Sequence, residues 1–366
     1  MRTARNIMVG VVLILVAFGI MMLLSTSIET ASIRLKDPYF FLKRQAIWLT
    51  LSGLAAFVTL KLDYQWLRKL SYFFWGVVVV LLVLVRIPGI GSEINGSWRW
   101  LSFGPITFQP SEFAKLAMIL LLAAWYDKNR RKRDDMKRGF IYPGLFLGFT
   151  LGLILIEPDF GTTMLIGCVG AILMFVAGVP LKFLAPVGAC GMAGLSFLIW
   201  QNPERWGRIM AFLNVGAHVQ GEGWQLANSL EAINRGGLWG VGLGESIQKR
   251  FYLPEAHTDF VFAILAEELG VIASSGVVLL FCAVYFCGIT IALKVSDMFG
   301  RFVVLGITLM ISIQALINLG VVTGSLPTKG LALPFISYGG SSLLINTVMV
   351  SLVINIANRA LKTQRA

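Results

Sequence analysis

Charge is what this chain has least of. Only 14% of its 366 residues are Asp, Glu, Lys or Arg, against 57% hydrophobic, and the mean hydropathy is +0.77. A soluble domain carries about 25% charged and 45–50% apolar residues, so a soluble globular fold is excluded and the spanning helix becomes the unit of organisation. Histidine is nearly missing: the two present, His218 and His257, form no metal set. The four cysteines, Cys168, Cys190, Cys282 and Cys287, all fall inside apolar runs. There they act as small hydrophobes, which argues against a disulfide framework or a zinc site. No low-complexity segment and no clear repeat is present. Acidic residues are outnumbered, 19 to 31, giving a net charge of +12. In a soluble protein that excess would suggest nucleic acid. Here it reads as loop charge that sets membrane topology, and no nucleic-acid partner is expected.

What the chain does have is apolar runs of membrane length. The first, about residues 7–26, follows Arg2 and Arg5 but is long and lacks a small-residue cleavage site, so it reads as a span and not a signal peptide. Further spans are predicted near 45–60, 70–86, 111–126, 140–157, 160–178, 182–200, 260–293, 302–323 and 338–357, about ten in all. The fold class is therefore all-α, a polytopic membrane protein, treated as one membrane domain over 1–366. The basic cluster Lys128, Arg130, Arg131, Lys132, Arg133, Lys137 and Arg138 marks the cytoplasmic side. Arg68, Lys69, Lys182, Lys294, Arg301, Arg359, Lys362 and Arg365 fall on the same side, so both termini are expected in the cytoplasm. Binding of this basic face to anionic membrane lipid is a weaker addition.

The eighth segment is too long for a simple span. A continuous helix from Asp259 to Lys294 would measure on the order of 50 Å against a hydrocarbon core of about 30 Å. It must project outward or bend near Gly270. The longest loop, about 201–258, lies outside on this topology. It is rich in glycine, with Gly236, Gly237, Gly240, Gly242 and Gly244, and holds Arg205, Arg208, Trp206, Trp224 and Trp239. Its aromatic content argues for order, with short helices on the membrane surface. The Gly-Val-Gly-Leu-Gly run at 240–244 lacks a preceding strand and a following Gly-Lys-Ser/Thr, so it is not a nucleotide loop.

Four polar clusters interrupt this apolar chain. The first runs from Asn95-Gly96-Ser97-Trp98-Arg99-Trp100-Leu101 to Phe108-Gln109-Pro110-Ser111-Glu112-Phe113-Ala114-Lys115. The second is Glu157-Pro158-Asp159-Phe160-Gly161-Thr162, and the third Leu253-Pro254-Glu255-Ala256-His257-Thr258-Asp259-Phe260. The fourth joins Pro327-Thr328-Lys329-Gly330 to Ser337-Tyr338-Gly339-Gly340-Ser341-Ser342. They enter spans four, six, eight and ten, so all lie on the extracytoplasmic side, where ATP is absent. Each has a plain structural reading beside a functional one. Glu112 and Lys115 stand three apart on a helix and can pair. Such a pair ties spans together or marks a site, the default for ionisable groups in membranes. Asp159 suits a cap of span six, and Thr258 or Asp259 a cap of span eight. Gln314, Asn318 and Asn346 suit interhelical hydrogen bonds, and Tyr338 with its serines suits helix packing. Trp98 and Trp206 suit the interfacial aromatic belt.

In this order the four clusters closely resemble the SEDS family (shape, elongation, division, sporulation) of FtsW/RodA type, polytopic proteins of bacterial cell-wall synthesis. Glu157 before Pro158-Asp159, and the Pro327-Thr328-Lys329-Gly330 run, bring the chain nearer the division and sporulation branch than the elongation branch. The run Glu231-Ala232-Ile233-Asn234-Arg235-Gly236-Gly237 departs from the family, which more often has small neutral residues before the glycines. The resemblance implies a peptidoglycan glycosyltransferase of the bacterial cytoplasmic membrane. Such enzymes polymerise lipid II, an undecaprenyl-pyrophosphoryl disaccharide-peptide, alongside a class B penicillin-binding protein and other divisome proteins. The family's essential acid in the His-Thr-Asp motif falls on Asp259, the expected general base. Its Arg-Trp pair falls on Arg99 and Trp100, and Glu112, Lys115, Asp159, His257, Lys329, Ser337 and Tyr338 complete the expected substrate-binding set. Arg99, Lys115, Arg208 and Lys329 are candidates to meet the departing pyrophosphate, as is a divalent cation such as Mg²⁺ or Mn²⁺, for which the sequence has no dedicated cage. A lipid II flippase and a recruiting scaffold are the competing classes. One-sided polar clusters favour the enzyme, since a flippase needs polar groups reachable from both faces in turn.

Overall fold

The computed structural model describes residues 1–94, 97–104, 106–131, 135–214, 221, 223–250, 253 and 256–363. Asn95, Gly96, Lys132, Arg133, His218, Pro254, Glu255 and Arg365 lie outside them.

The described chain is a helical bundle. Its helices are α1 (Arg2–Leu35), α2 (Phe40–Lys61), α3 (Tyr64–Leu84), α4 (Pro110–Lys128), α5 (Tyr142–Ile156, entered through a π-helical turn, Met136–Ile141), α6 (Phe160–Val176), α7 (Leu181–Trp200), α8 (Pro203–Leu213), α9 (Trp224–Gly236), α10 (Val261–Lys294), α11 (Met298–Val322) and α12 (Gly340–Thr363). Seven stretches, in α1, α3, α5, α7, α10, α11 and α12, are long and apolar enough to cross a membrane. The apolar α6 is shorter, and α4 carries Glu112, Lys115, Asp127 and Lys128. Packing puts these in the same bundle: α2 lies along α12, α4 between α3 and α11, and α6 against α5 and α11. With α2, α4 and α6 the expected set of spans is complete. The helices α8 and α9 are short helices within the long 201–258 loop, where the sequence suggested them.

Burial follows position. α4 is buried nearly all round from Ala114 to Ala124, whereas α7 has no buried residue. A helix that is apolar on every face needs protein or hydrocarbon around it, and α7 relies on the latter. At one end of the bundle Arg68 pairs with Asp127, and Arg359 with Asp63 at 2.9 Å. The four polar clusters occupy the other end.

That end also holds an element the all-α reading missed. Strands β1 (Gly91–Ile94), β2 (Ser97–Phe103) and β3 (Ile106–Phe108) form an antiparallel sheet in the order β1-β2-β3. Leu101 pairs with Gly91 on one side and Phe108 on the other. The signal was the alternation Trp98, Arg99, Trp100, Leu101, in which Leu101 is buried, but strands this short are weak against long helical patterns.

α10 bends where its length demanded. Gly270 has φ 76° and ψ −179°, a conformation open essentially to glycine. Beyond the break the ladder is exchanged with the stretch that follows α9. Val271 and Ile272 donate to the carbonyls of Gly237 and Leu238, while the carbonyls of Glu267 and Glu268 accept from Val241 and Gly242. Non-helical backbone at membrane depth survives only when protein satisfies it, and the glycine run 236–244 does so here. A Cβ on Gly236 or Gly240 would meet the carbonyl oxygens of Ala266 and Glu268 at 2.0 and 2.2 Å. Side chains lock the same contact. Glu267 accepts from Ser246 (2.5 Å) and the Ile247 N–H (3.1 Å), and Glu268 from Ser25 (2.6 Å) and Lys249 (2.8 Å).

Candidate functional site

The four clusters, distant in sequence, meet in space. Arg99, on β2, donates from Nε to the carbonyl of Glu157 and from its terminal nitrogen to that of Pro158, both at 2.8 Å. It thus satisfies carbonyls at the end of α5 that the helix leaves open. Trp100 follows on β2 opposite Ser92 and is partly exposed. Asp159 caps α6 through the Thr162 N–H (3.1 Å), and its other oxygen accepts from Gln109 (3.0 Å) and Ser111 (3.2 Å). The capping reading of Asp159 is therefore what the geometry contains, and the same carboxylate ties the first cluster to the second. The Gln109 N–H donates to Ser341 Oγ at 3.2 Å, which ties the first to the fourth.

The third and fourth clusters interlock. Ser337 donates to the Thr258 carbonyl (2.5 Å) and accepts from the Leu333 N–H (2.8 Å). The Tyr338 N–H donates to the His257 carbonyl at 3.0 Å. The rings of His257 and Tyr338 lie 5.8 Å apart, with Phe41 5.1 and 5.3 Å from them. Burial holds the Tyr338 hydroxyl above its usual range, and Arg44 draws it back.

Asp259 is half-buried and sits outside the cap position of α10, which is Phe260 and has no side-chain cap bond. Its carbonyl accepts from Asn318 Nδ2 at 2.8 Å, which also donates to the Leu331 carbonyl at 2.7 Å. The carboxylate lies over Gly330: a Cβ there would come within 2.7 Å of Oδ2. On the other flank a Cβ on Gly161 would meet Leu331 at 2.9 Å and the Gly330 carbonyl at 3.4 Å. These two glycines let the 327–331 strip run between Asp259 and the first turn of α6.

Glu112 and Lys115 lie one layer beneath. Their charges meet at 2.6 Å, and Lys115 is wholly buried. Lys115 Nζ donates to Gln314 Oε1 (3.0 Å), and Gln314 Nε2 to the Ala332 carbonyl (2.7 Å). The pair therefore supports the strip from below, and Gln314 and Asn318 bond loop carbonyls as much as neighbouring helices. Lys329 points the other way, with its ammonium on the sulfur of Met164 at 2.8 Å.

Arg205 stood out in the sequence only as one loop cation among several. Asn202 caps α8 by accepting from the Arg205 N–H at 3.2 Å, which swings the Arg205 guanidinium to 4.0 Å from the ring centre of Phe160. Among the described residues no group of three or more His, Cys, Asp or Glu is placed to hold a metal ion. The four cysteines are free.

A bundle of membrane-crossing helices, with polar turns from four distant parts of the chain gathered at one end around a half-exposed carboxylate, defines a polytopic membrane protein with a polar site at one membrane face. A family model described as cell cycle protein, covering FtsW, RodA and SpoVE, matches residues 5–362. The chain belongs to that family. It is 42% identical to the "Probable peptidoglycan glycosyltransferase FtsW" of Trichlorobacter lovleyi over 94% of this chain and 91% of that one. It is also 42% identical to the "Stage V sporulation protein E" of Bacillus subtilis, over 96% of each. A chain from a solved peptidoglycan synthase complex, described as "Structural coordination of polymerization and crosslinking by a peptidoglycan synthase complex", superposes with a TM-score of 0.80 at 30% identity, covering 96% of this chain and 97% of that one. The rod-shape protein RodA of Thermus thermophilus superposes with a TM-score of 0.71 at 28% identity, covering 96% and 95%. The relatives named FtsW and stage V sporulation protein E agree with the branch that the motifs implied.

Proposed function

We propose that the chain is a peptidoglycan glycosyltransferase that polymerises lipid II, with Asp259 as its general base. The observation that carries this reading is the placement of Asp259: half-exposed, backed by the Gly330 strip, at the end of the bundle where all four polar clusters meet. Its relatives' names support the reaction class.

The chemistry follows from the groups present. A sugar 4-hydroxyl attacks the anomeric carbon of a lipid-linked sugar. The new C–O bond forms as the bond to the lipid diphosphate breaks, the diphosphate leaves with the electron pair, and the hydroxyl proton passes to Asp259. Such base catalysis contributes about 10²–10⁴-fold. Positive charge must meet the departing anion in a low-dielectric site. Lys115 is closed off by Glu112, and Arg99 is committed to backbone, which leaves the outer cations. A divalent cation such as Mg²⁺ would take its ligands largely from the substrate's phosphate oxygens; activity with and without a chelator tests for one.

On this reading the chain is a single membrane domain of the bacterial cytoplasmic membrane, with the site outside and both termini in the cytoplasm. A class B penicillin-binding protein is its crosslinking partner, in keeping with the pairing of polymerisation and crosslinking in the superposed complex. A lipid II flippase is the runner-up. It is disfavoured because the intramembrane charges it would use, Glu112, Lys115, Glu267 and Glu268, are buried and partnered.

The test is purified protein with its penicillin-binding partner and lipid II. Asp259→Ala is expected to lower polymerisation by at least about 10²-fold with membrane insertion intact. Retained polymerisation in that variant removes Asp259 from the reaction.

A further inference from the structure

The end of the bundle opposite the four polar clusters is its basic end, and two separate elements meet there. The π-helical turn before α5 presents Lys137 and Arg138, and the first turn of α7 presents Lys182, all three exposed. Ring stacking brings the two elements together. The rings of Phe140 and Phe183 lie 5.7 Å apart with their planes at 27°, and Lys182 Nζ lies 5.2 Å from the centre of the Phe183 ring. The turn is pinned to α4: the carbonyls of Arg138 and Gly139 accept from Trp125 Nε1 and the Tyr126 hydroxyl, both at 2.8 Å.

The acids described at this end do not neutralise the patch. Asp63 is paired with Arg359 and Asp127 with Arg68, and Asp297 caps α11 through the Gly300 N–H at 2.8 Å. Asp135 caps the π-helical turn, accepting from the Lys137 N–H at 3.2 Å, and offsets one charge. Asp134 lies outside the described residues. The first turn of α7 holds no acid. Lys128, Arg130 and Arg131, exposed at and just past the end of α4, add to the positive field. Among the described residues none of Lys137, Arg138 and Lys182 has a salt-bridge partner. Below this patch lies bare apolar helix. No residue of α7 is buried, and the helix packs against α6 and α8. Leu181 and Val187 of α7, and Leu145 and Phe149 of α5, are exposed. Positive charge at the head-group level above apolar flanks matches a lipid with an anionic head and acyl chains.

We propose that Lys137, Arg138 and Lys182 bind the phosphate of an anionic membrane phospholipid, and that this lipid fastens α7 to the bundle. The phosphate bridges Lys182 on α7 to the two cations on the turn that α4 holds in place. The acyl chains lie against the exposed flanks of α5 and α7. The lipid thus does for α7 what side-chain packing does for the buried α4. The site lies at the far end of the bundle from Asp259 and does not depend on the glycosyl-transfer reading.

The test titrates the full chain in detergent with phosphatidylglycerol, and with phosphatidylcholine of the same acyl chains, counting bound lipid by native mass spectrometry. Phosphatidylglycerol is expected to bind at least about fivefold more tightly, the scale of one Lys or Arg at an anionic head group. The triple variant Lys137→Gln, Arg138→Gln, Lys182→Gln should lose about tenfold or more. A second triple variant, Lys61→Gln, Lys69→Gln, Lys362→Gln, removes the same charge from exposed positions at the same end and should bind as the parent does. Lys137→Arg with Lys182→Arg keeps the charge, should retain the affinity and guards against misfolding. The fastening of α7 is read separately, with spin labels at Leu145→Cys and Val187→Cys on a cysteine-free background. Their distance distribution should narrow when phosphatidylglycerol is added to phosphatidylcholine nanodiscs, and should not do so in the first triple variant. Equal affinity for the two lipids, or equal losses in the two triple variants, means diffuse attraction and overturns the site. Displacement of the lipid by equimolar inorganic phosphate makes this a free-anion site and overturns the choice of lipid. Selective binding with an unchanged distance distribution overturns the fastening.

Discussion

Glu157 lies between α5 and α6 with Asp159 two residues away, and burial keeps its proton on to about pH 9 against an ordinary 4.5. The sign of the consequence is fixed by linkage. Between those two values the folded chain holds a proton that the unfolded chain has released, so stability is full below about pH 4.5 and falls as pH rises toward 9. Glu157→Gln removes the titration. Melting curves in detergent should show the variant gaining on the parent by on the order of 1–3 kcal/mol at pH 8 and by little at pH 5; parallel curves would mean that the carboxyl is already charged at neutral pH. Residues of this kind differ in how plainly the sequence displays them. Asp259 stands out because a carboxylate beside His257 and Thr258 at the mouth of an apolar helix is conspicuous. Arg205 does not, because only the cap at Asn202 and the return of α8 over α6 bring it to Phe160.

At the scale of elements, the helices were legible because they follow hydrophobic run length. The bend in α10 was legible too, since a helix of 34 residues exceeds the bilayer and Gly270 offered the weakest point. What replaces the lost ladder was not, because the exchange with residues 237–242 is a contact between segments that no periodicity encodes. The sheet β1-β2-β3 escaped for a similar reason: three short strands of 4, 7 and 3 residues leave almost no period to read. Gly270→Ala tests the exchange. Its positive φ is strained for any L-residue at about 1–3 kcal/mol, and the added methyl would press on the Leu238 carbonyl at 2.4 Å. A clear fall in melting temperature is expected, with faster amide exchange in both 237–242 and 267–272. Exchange confined to one of the two stretches would mean they are not coupled.

For the whole molecule the decisive property is which end faces out. On a cysteine-free background, Ser102→Cys and Glu204→Cys, both exposed at the site end, should react with a membrane-impermeant maleimide in intact cells. Arg131→Cys, exposed on the loop after α4, should react only after permeabilisation. The reverse pattern would put the site in the cytoplasm and remove the case for an extracellular polymerase. The bent helix carries a further consequence for anyone recombining relatives. The stretch 237–250 supplies backbone partners to α10, and Lys249 reaches Ser25 on α1 as well as Glu268. It is thus a third strand of the bundle's own wiring and not a detachable antenna. Chimaeras that graft the outer loop of one homologue onto another should assemble only when the donor's α10 and the facing turn of α1 travel with it.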